Sequence, residues 1–159
     1  QLKGTCEQRG QLRILVKASK DPLGANLDRI QIVKGWMDQG EHRERVYDVA
    51  LSDGREVGED GQVPEVGNTV DSQSATYANT IGAAELGTVW IDREFHPEQQ
   101  AFYYARVLEI PTPRWTTHDA AAFEIPPPDN VPVTIQQRVY SSPIWYEPTE
   151  AGAGSDCRG

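Results

Sequence analysis

Residues 101–120 read AFYYARVLEIPTPRWTTHDA, and the first half of this stretch decides the fold class. Tyr103, Ala105 and Val107 fall on one face at the two-residue period of a half-buried β-strand. The period stops at Pro111 and Pro113, each of which fixes its own φ and restricts the residue before it. A polar run follows that holds Arg114, Trp115, His118 and Asp119. It reads as one of three things: an active-site fragment, a contact surface, or plain connecting chain.

Working outward, the same alternation recurs. QLRILVKAS places Leu12, Ile14 and Val16 on one face and Arg13, Leu15 and Lys17 on the other. RIQIVKGW aligns Ile30, Ile32 and Trp36, interrupted only by Lys34, and RERVYDVAL follows across the polar link MDQGEH, so these two strands form a hairpin. LGTVWID is a further strand, QSATYANT is a weaker one, and REFHPEQQ between strands has room for a single helical turn. VTIQQRVYSSPIWY closes the sheet, with Pro143 marking a bulge or an edge position. DAAAFEIPPPDNVP starts as a helix at Asp119 and stops at three prolines. Residues 52–71 are rich in Gly and acid without periodicity, hence a long loop.

The 159 residues are one domain's worth of chain, and 14 Gly with 11 Pro favour turns over long helices. The expected fold is therefore all-β: an antiparallel immunoglobulin-like β-sandwich over residues 11–148, with long loops and little helix. Residues 1–10 and 149–159 read as flexible end segments. The immunoglobulin-like assignment rests on Tyr103, Ala105 and Val107, which match the Tyr-x-Cys/Ala-x-Val pattern of the sixth strand in such domains. There the Tyr hydroxyl bonds back to the preceding corner.

Composition narrows the function. Fifteen basic against 24 acidic residues give a net charge of −9, so nucleic acid is not an expected partner. No run approaches the length of an apolar membrane span. The chain starts at Gln1, as a processed product or a piece of a longer protein would. Cys6 and Cys157 are either unrelated thiols in the ends or a disulfide tying the termini together, which would imply an oxidising compartment.

His42, His96 and His118 each lack a second His or Cys at ligand spacing, so no metal or catalytic motif is expected. Asp53, Glu59, Asp60, Glu65 and Asp71 offer oxygen ligands for calcium in the 53–71 loop, but not in EF-hand order, and a solvated loop is the simpler reading. Trp36 and Trp90 fall on core faces. Trp115 lies outside a strand, and Arg114 beside it offers a planar fork for a carboxylate or phosphate. Arg114, Trp115, His118 and Asp119 are thus the binding or interface candidates.

LDRIQIVKGW, VGNTVD, NTIGAAELGTVWID, FYYARVLEIPTPRW and SSPIWY, in that order, resemble the C-terminal part of the domain-of-unknown-function family 3604, over residues 21–148. The resemblance implies a large, often exported bacterial protein. It also implies an N-terminal part similar to the polymerase-and-histidinol-phosphatase (PHP) class of metal-dependent hydrolases. The His and Asp metal ligands of that class fall in the N-terminal part, and none of those motifs is present here. The expected role is a non-catalytic module, periplasmic or extracellular, that packs on or assists the missing N-terminal catalytic domain. The alternatives are a secreted binding or self-assembly module acting on other copies through sheet edges, and a hydrolase fragment lending Arg114 to a composite active site.

Overall fold

A computed structural model describes residues 11–148. Cys6 and Cys157, and with them both readings of the cysteines and the two end segments, lie outside the described residues. The described chain runs β1 (Leu12–Ser19), β2 (Leu27–Asp38), β3 (Glu41–Leu51), β4 (Glu85–Asp92), β5 (Ala101–Glu109), β6 (Thr112–Pro113), α1 (Trp115–Phe123), β7 (Thr134–Ile135), β8 (Arg138–Tyr140) and β9 (Ile144–Tyr146). All strand pairings are antiparallel. The fold is all-β, as the alternation predicts.

Two sheets face each other. β1 pairs with β4 in one, and the other has the order β3-β2-β5-β8, with β9 also on β5. The strand periods explain the packing. β1 alternates half-buried and exposed along its whole length, so Leu12, Ile14 and Val16 point inward. They meet Ile32, Ala101 and Tyr103 of the larger sheet, with Trp36 and Trp90 packed against the same cluster. A second cluster centres on Leu27, Ile30 and Val107, and a third on Ala25, Val66 and Ile110. Burial of apolar surface of this kind supplies the main favourable contribution to folding.

The β2–β3 hairpin forms with its turn at Gln39 and Gly40, both at positive φ. Its strands consume most of the link MDQGEH. Gly35 lies opposite Phe102, whose ring occupies the space a side chain would need, and a Cβ there would stand 2.2 Å from Cζ. β8 and β9 are one edge strand interrupted at Ser141–Pro143. Ser141 bridges the break: its N–H donates to the Ala105 carbonyl and its hydroxyl accepts from the Ala105 N–H, both at 2.9 Å.

Four local expectations are corrected. QSATYANT forms only an isolated bridge between Asp71 and Thr76; Ala75 is in the left-handed conformation (φ 50°), which breaks an extended strand even though Ala75 is buried and Tyr77 packs on the core. REFHPEQQ holds turns and no helix. The helix starts at Trp115, four residues before Asp119, since Arg114 is still extended (φ −73°, ψ 157°) and no proline follows until the chain has left the helix. Tyr103 is buried as expected, but its hydroxyl donates to the Asp92 carboxylate at 2.8 Å and not to the backbone of a corner.

Asp92 and Lys34 explain that last change. Lys34 falls on the inward face of β2, where the alternation demands an apolar residue. It is 3% exposed and its Nζ donates to Asp92 Oδ2 at 2.6 Å and to the Glu94 carbonyl at 2.9 Å. Asp92, at the end of β4, also accepts from the Glu94 N–H through Oδ1 at 2.9 Å. A charge is tolerated at this depth only when it is paired and hydrogen-bonded. Tyr103 completes the set.

Candidate interaction surface

α1 seats the residues singled out from the sequence. The helix follows from DAAAF, whose alanines have high helix propensity, and it ends at Glu124 in the left-handed conformation (φ 54°) just before Pro126–Pro128. Its inward side holds Thr117 and Ala120, both buried. Thr117 Oγ1 donates to the Val133 carbonyl at 2.6 Å, and the Arg114 N–H donates to the same oxygen at 3.0 Å. β6 and β7 pair immediately beside this point, so the helix is anchored at its first turn.

The helical period brings three of the four candidates together. Trp115, His118 and Asp119 stand at i, i+3 and i+4, one face of the helix, and all three are exposed. Trp115 is 67% exposed, and Phe123 and Ile125 are exposed nearby in sequence. Arg114 precedes this face at the N-cap position, where its side chain does not cap the helix. It is half-buried; its Nε and the Thr116 hydroxyl oxygen are buried without a hydrogen-bond partner. Trp115, His118 and Asp119 form an outward patch with an aromatic, an imidazole and a carboxylate, and the half-buried Arg114 adjoins it in the chain. They hold no nucleophile.

Of the five acidic-loop residues singled out above, Asp53, Asp60 and Asp71 accept backbone hydrogen bonds, whereas Glu59 and Glu65 are exposed. Asp53 Oδ2 accepts from the Gly82 N–H at 2.7 Å, Asp60 from Gln62 at 3.0 Å, and Asp71 from Gln73 at 2.9 Å. The Gln73 N–H first, and then Ser74, bond the charged form and hold the Asp71 carboxyl below its usual range. Among the described residues, no three His, Cys, Asp or Glu side chains gather as a metal-binding group. No helix of the described chain is long and apolar enough to cross a membrane.

Sequence reasoning passed over a second exposed surface. Val139, Tyr140, Ile144 and Trp145 on the edge formed by β8 and β9 are largely open, Trp145 at 69%. β1 pairs with β4 along one edge, and among the described residues no strand pairs with its other edge. A groove of about 550 Å³ runs between that edge and β8–β9, lined by Ile14, Val16, Tyr103, Val139 and Ile144. The signal available in the sequence was the SSP interruption, which splits the edge strand and leaves each half short.

The fold and this surface define an antiparallel all-β domain with an exposed aromatic patch on a short helix. Comparison with protein families places it more narrowly: the family model described as "Protein of unknown function (DUF3604)" matches residues 1–148. The chain belongs to that family. No curated protein and no solved structure matches it.

Proposed function

We propose that this chain is a non-catalytic β-sandwich module, the C-terminal part of a protein resembling PHP-type metal-dependent hydrolases, which packs on and assists the catalytic domain of that protein. The observation that carries this reading is Trp115, two-thirds exposed on a helix whose opposite side is firmly seated. Trp and Arg are the residues that most often dominate interfaces, and Arg114 adjoins Trp115. The immunoglobulin-like reading is supported by the strand order, since β1 and β4 share one sheet while β2, β3 and β5 share the other. The periplasmic or extracellular location rests on the family resemblance.

The test uses Arg114→Ala and Trp115→Ala. Both variants should keep the far-ultraviolet circular dichroism and melting midpoint of the parent chain. Each should weaken association with the separately produced N-terminal part by more than about 1 kcal/mol, read by calorimetry. Variants that unfold, or that bind as tightly as the parent, would remove this surface from the interface.

A second reading, self-assembly or binding through sheet edges, is favoured by the free edge of β1 and its groove. Arg13 and Lys17 on that strand would stand near each other in an antiparallel pair of copies, which opposes it. Sedimentation analysis distinguishes the two, because edge pairing makes the isolated chain a concentration-dependent oligomer. The third reading, Arg114 in a composite active site, draws on its unpartnered Nε.

A further inference from the structure

We infer that Lys34 and Asp92 are the site of an intramolecular amide cross-link, formed between the Lys34 Nζ and the Asp92 side-chain carbonyl carbon. Three features of the pair point there. First, the two groups are in direct contact, Nζ to Oδ2 at 2.6 Å, and nearly excluded from solvent, at 3% and 1% side-chain exposure. Contact enforced by the fold replaces an encounter with a fixed approach, which is how intramolecular reactions gain most of their rate. Second, the surroundings are aromatic: the Trp36 ring centroid lies 5.3 Å from Nζ and the Tyr103 centroid 5.8 Å. A site closed in this way keeps bulk water from competing with Nζ for the carbonyl carbon and from hydrolysing the product.

The third feature is that the two Asp92 oxygens are held for different tasks. Oδ1 accepts the Glu94 N–H at 2.9 Å, a backbone donor aimed at the oxygen that carries charge when the carbon becomes tetrahedral. Oδ2 contacts Nζ and accepts the Tyr103 hydroxyl at 2.8 Å, so it is the oxygen positioned to leave. Burial, together with the neighbouring Asp92 carboxylate, holds the Tyr103 phenol far above its usual range, which keeps it a donor. The Glu94 carbonyl accepts from Nζ at 2.9 Å and orients the amine.

The step balances without any co-reactant. One proton of the ammonium passes to Oδ2, giving amine and acid; Nζ then attacks the carbonyl carbon. A second proton moves to Oδ2, with the Tyr103 hydroxyl as relay, and the carbon–Oδ2 bond breaks. Water leaves, and an amide remains with its oxygen on the Glu94 N–H. The bond joins the middle of β2 to the last residue of β4, and so ties one sheet covalently to the other.

Intact-mass spectrometry of the purified, folded chain tests this directly. The expected mass is one water below that of the sequence, and digestion should yield the Lys34 and Asp92 peptides joined, with no tryptic cleavage after Lys34. Lys34→Arg keeps the charge but cannot form this amide, and it should show its full calculated mass. A folded parent chain at the full mass would overturn the inference and leave a buried ion pair. So would a Lys34→Arg variant that is also light by one water, since the loss would then lie elsewhere.

Discussion

At the scale of single residues, the chain places its hydroxyls and phenols where charge is buried. Tyr103 donates to Asp92 from inside the core, and removing that hydroxyl leaves the carboxylate one partner short. Tyr103→Phe should therefore lower stability by about 1–3 kcal/mol, measured by denaturant unfolding; an unchanged midpoint would mean the hydroxyl is idle. Tyr47 gives a pH-dependent counterpart. Desolvation first, and then its hydrogen bond to the Glu94 carboxylate, push its phenol up to about 12 from 10.0. Between those values the unfolded chain has lost a proton that the folded chain keeps, so stability falls as pH rises through the window. Tyr47→Phe should flatten the decline between about pH 10 and 12, and titration of the melting midpoint checks it.

At the scale of elements, close approach decides which substitutions are tolerated. Gly35 lets the Phe102 ring of β5 lie across β2, and a methyl group would collide with its outer atoms Cζ, Cε1 and Cε2, in a ring that also packs on Tyr104 and Trp145. Gly35→Ala should cost about 1–3 kcal/mol, the range for overpacking, seen as a lower denaturation midpoint. α1 is held on the Val133 carbonyl by two donors, the Arg114 N–H and, from a side chain, the Thr117 hydroxyl. Thr117→Val keeps the shape and deletes that bond, and should loosen the helix by about 1–3 kcal/mol. Hydrogen exchange confined to residues 114–125 would show it, whereas uniform protection would deny the anchor's role. The elements themselves were readable wherever period and punctuation agreed, as in β1, β2 and β5. The start of α1 was not, because the N-cap position falls on Arg114, a residue type that does not signal a cap, and the bonds on the Val133 carbonyl fix the chain there.

At the scale of the whole molecule, buried charge ties distant segments together. Asp28 is fully buried on β2 and accepts from Arg29 at 3.0 Å, from Gln136 at 2.9 Å, and from Arg55. Arg55 also donates to the Ser52 and Pro64 carbonyls, so the network fastens the long loop and the approach to β8 onto one strand. Asp28→Ala leaves the Arg55 guanidinium buried without its counter-charge and should cost about 3–5 kcal/mol. Limited proteolysis should then cut within residues 55–80 before the sheets are lost. Cleavage first in the sheets would show that the loop has other anchors.

What the sequence determined by itself is the set of strands and which of their faces turn inward, because alternation is a local property that burial simply reads out. It also marked the run from Arg114 to Asp119 as exceptional, through its prolines and its mixture of residue types. Only the tertiary structure decided the rest. Lys34 looked like a flaw in β2 until the end of β4, 58 residues on, supplied the carboxylate that neutralises it. Trp115, His118 and Asp119 became one surface only once a helix replaced the expected loop and its period aligned them. Both outcomes depend on partners distant in the chain or on a backbone turn held by a distant carbonyl, and neither leaves a mark in the local pattern.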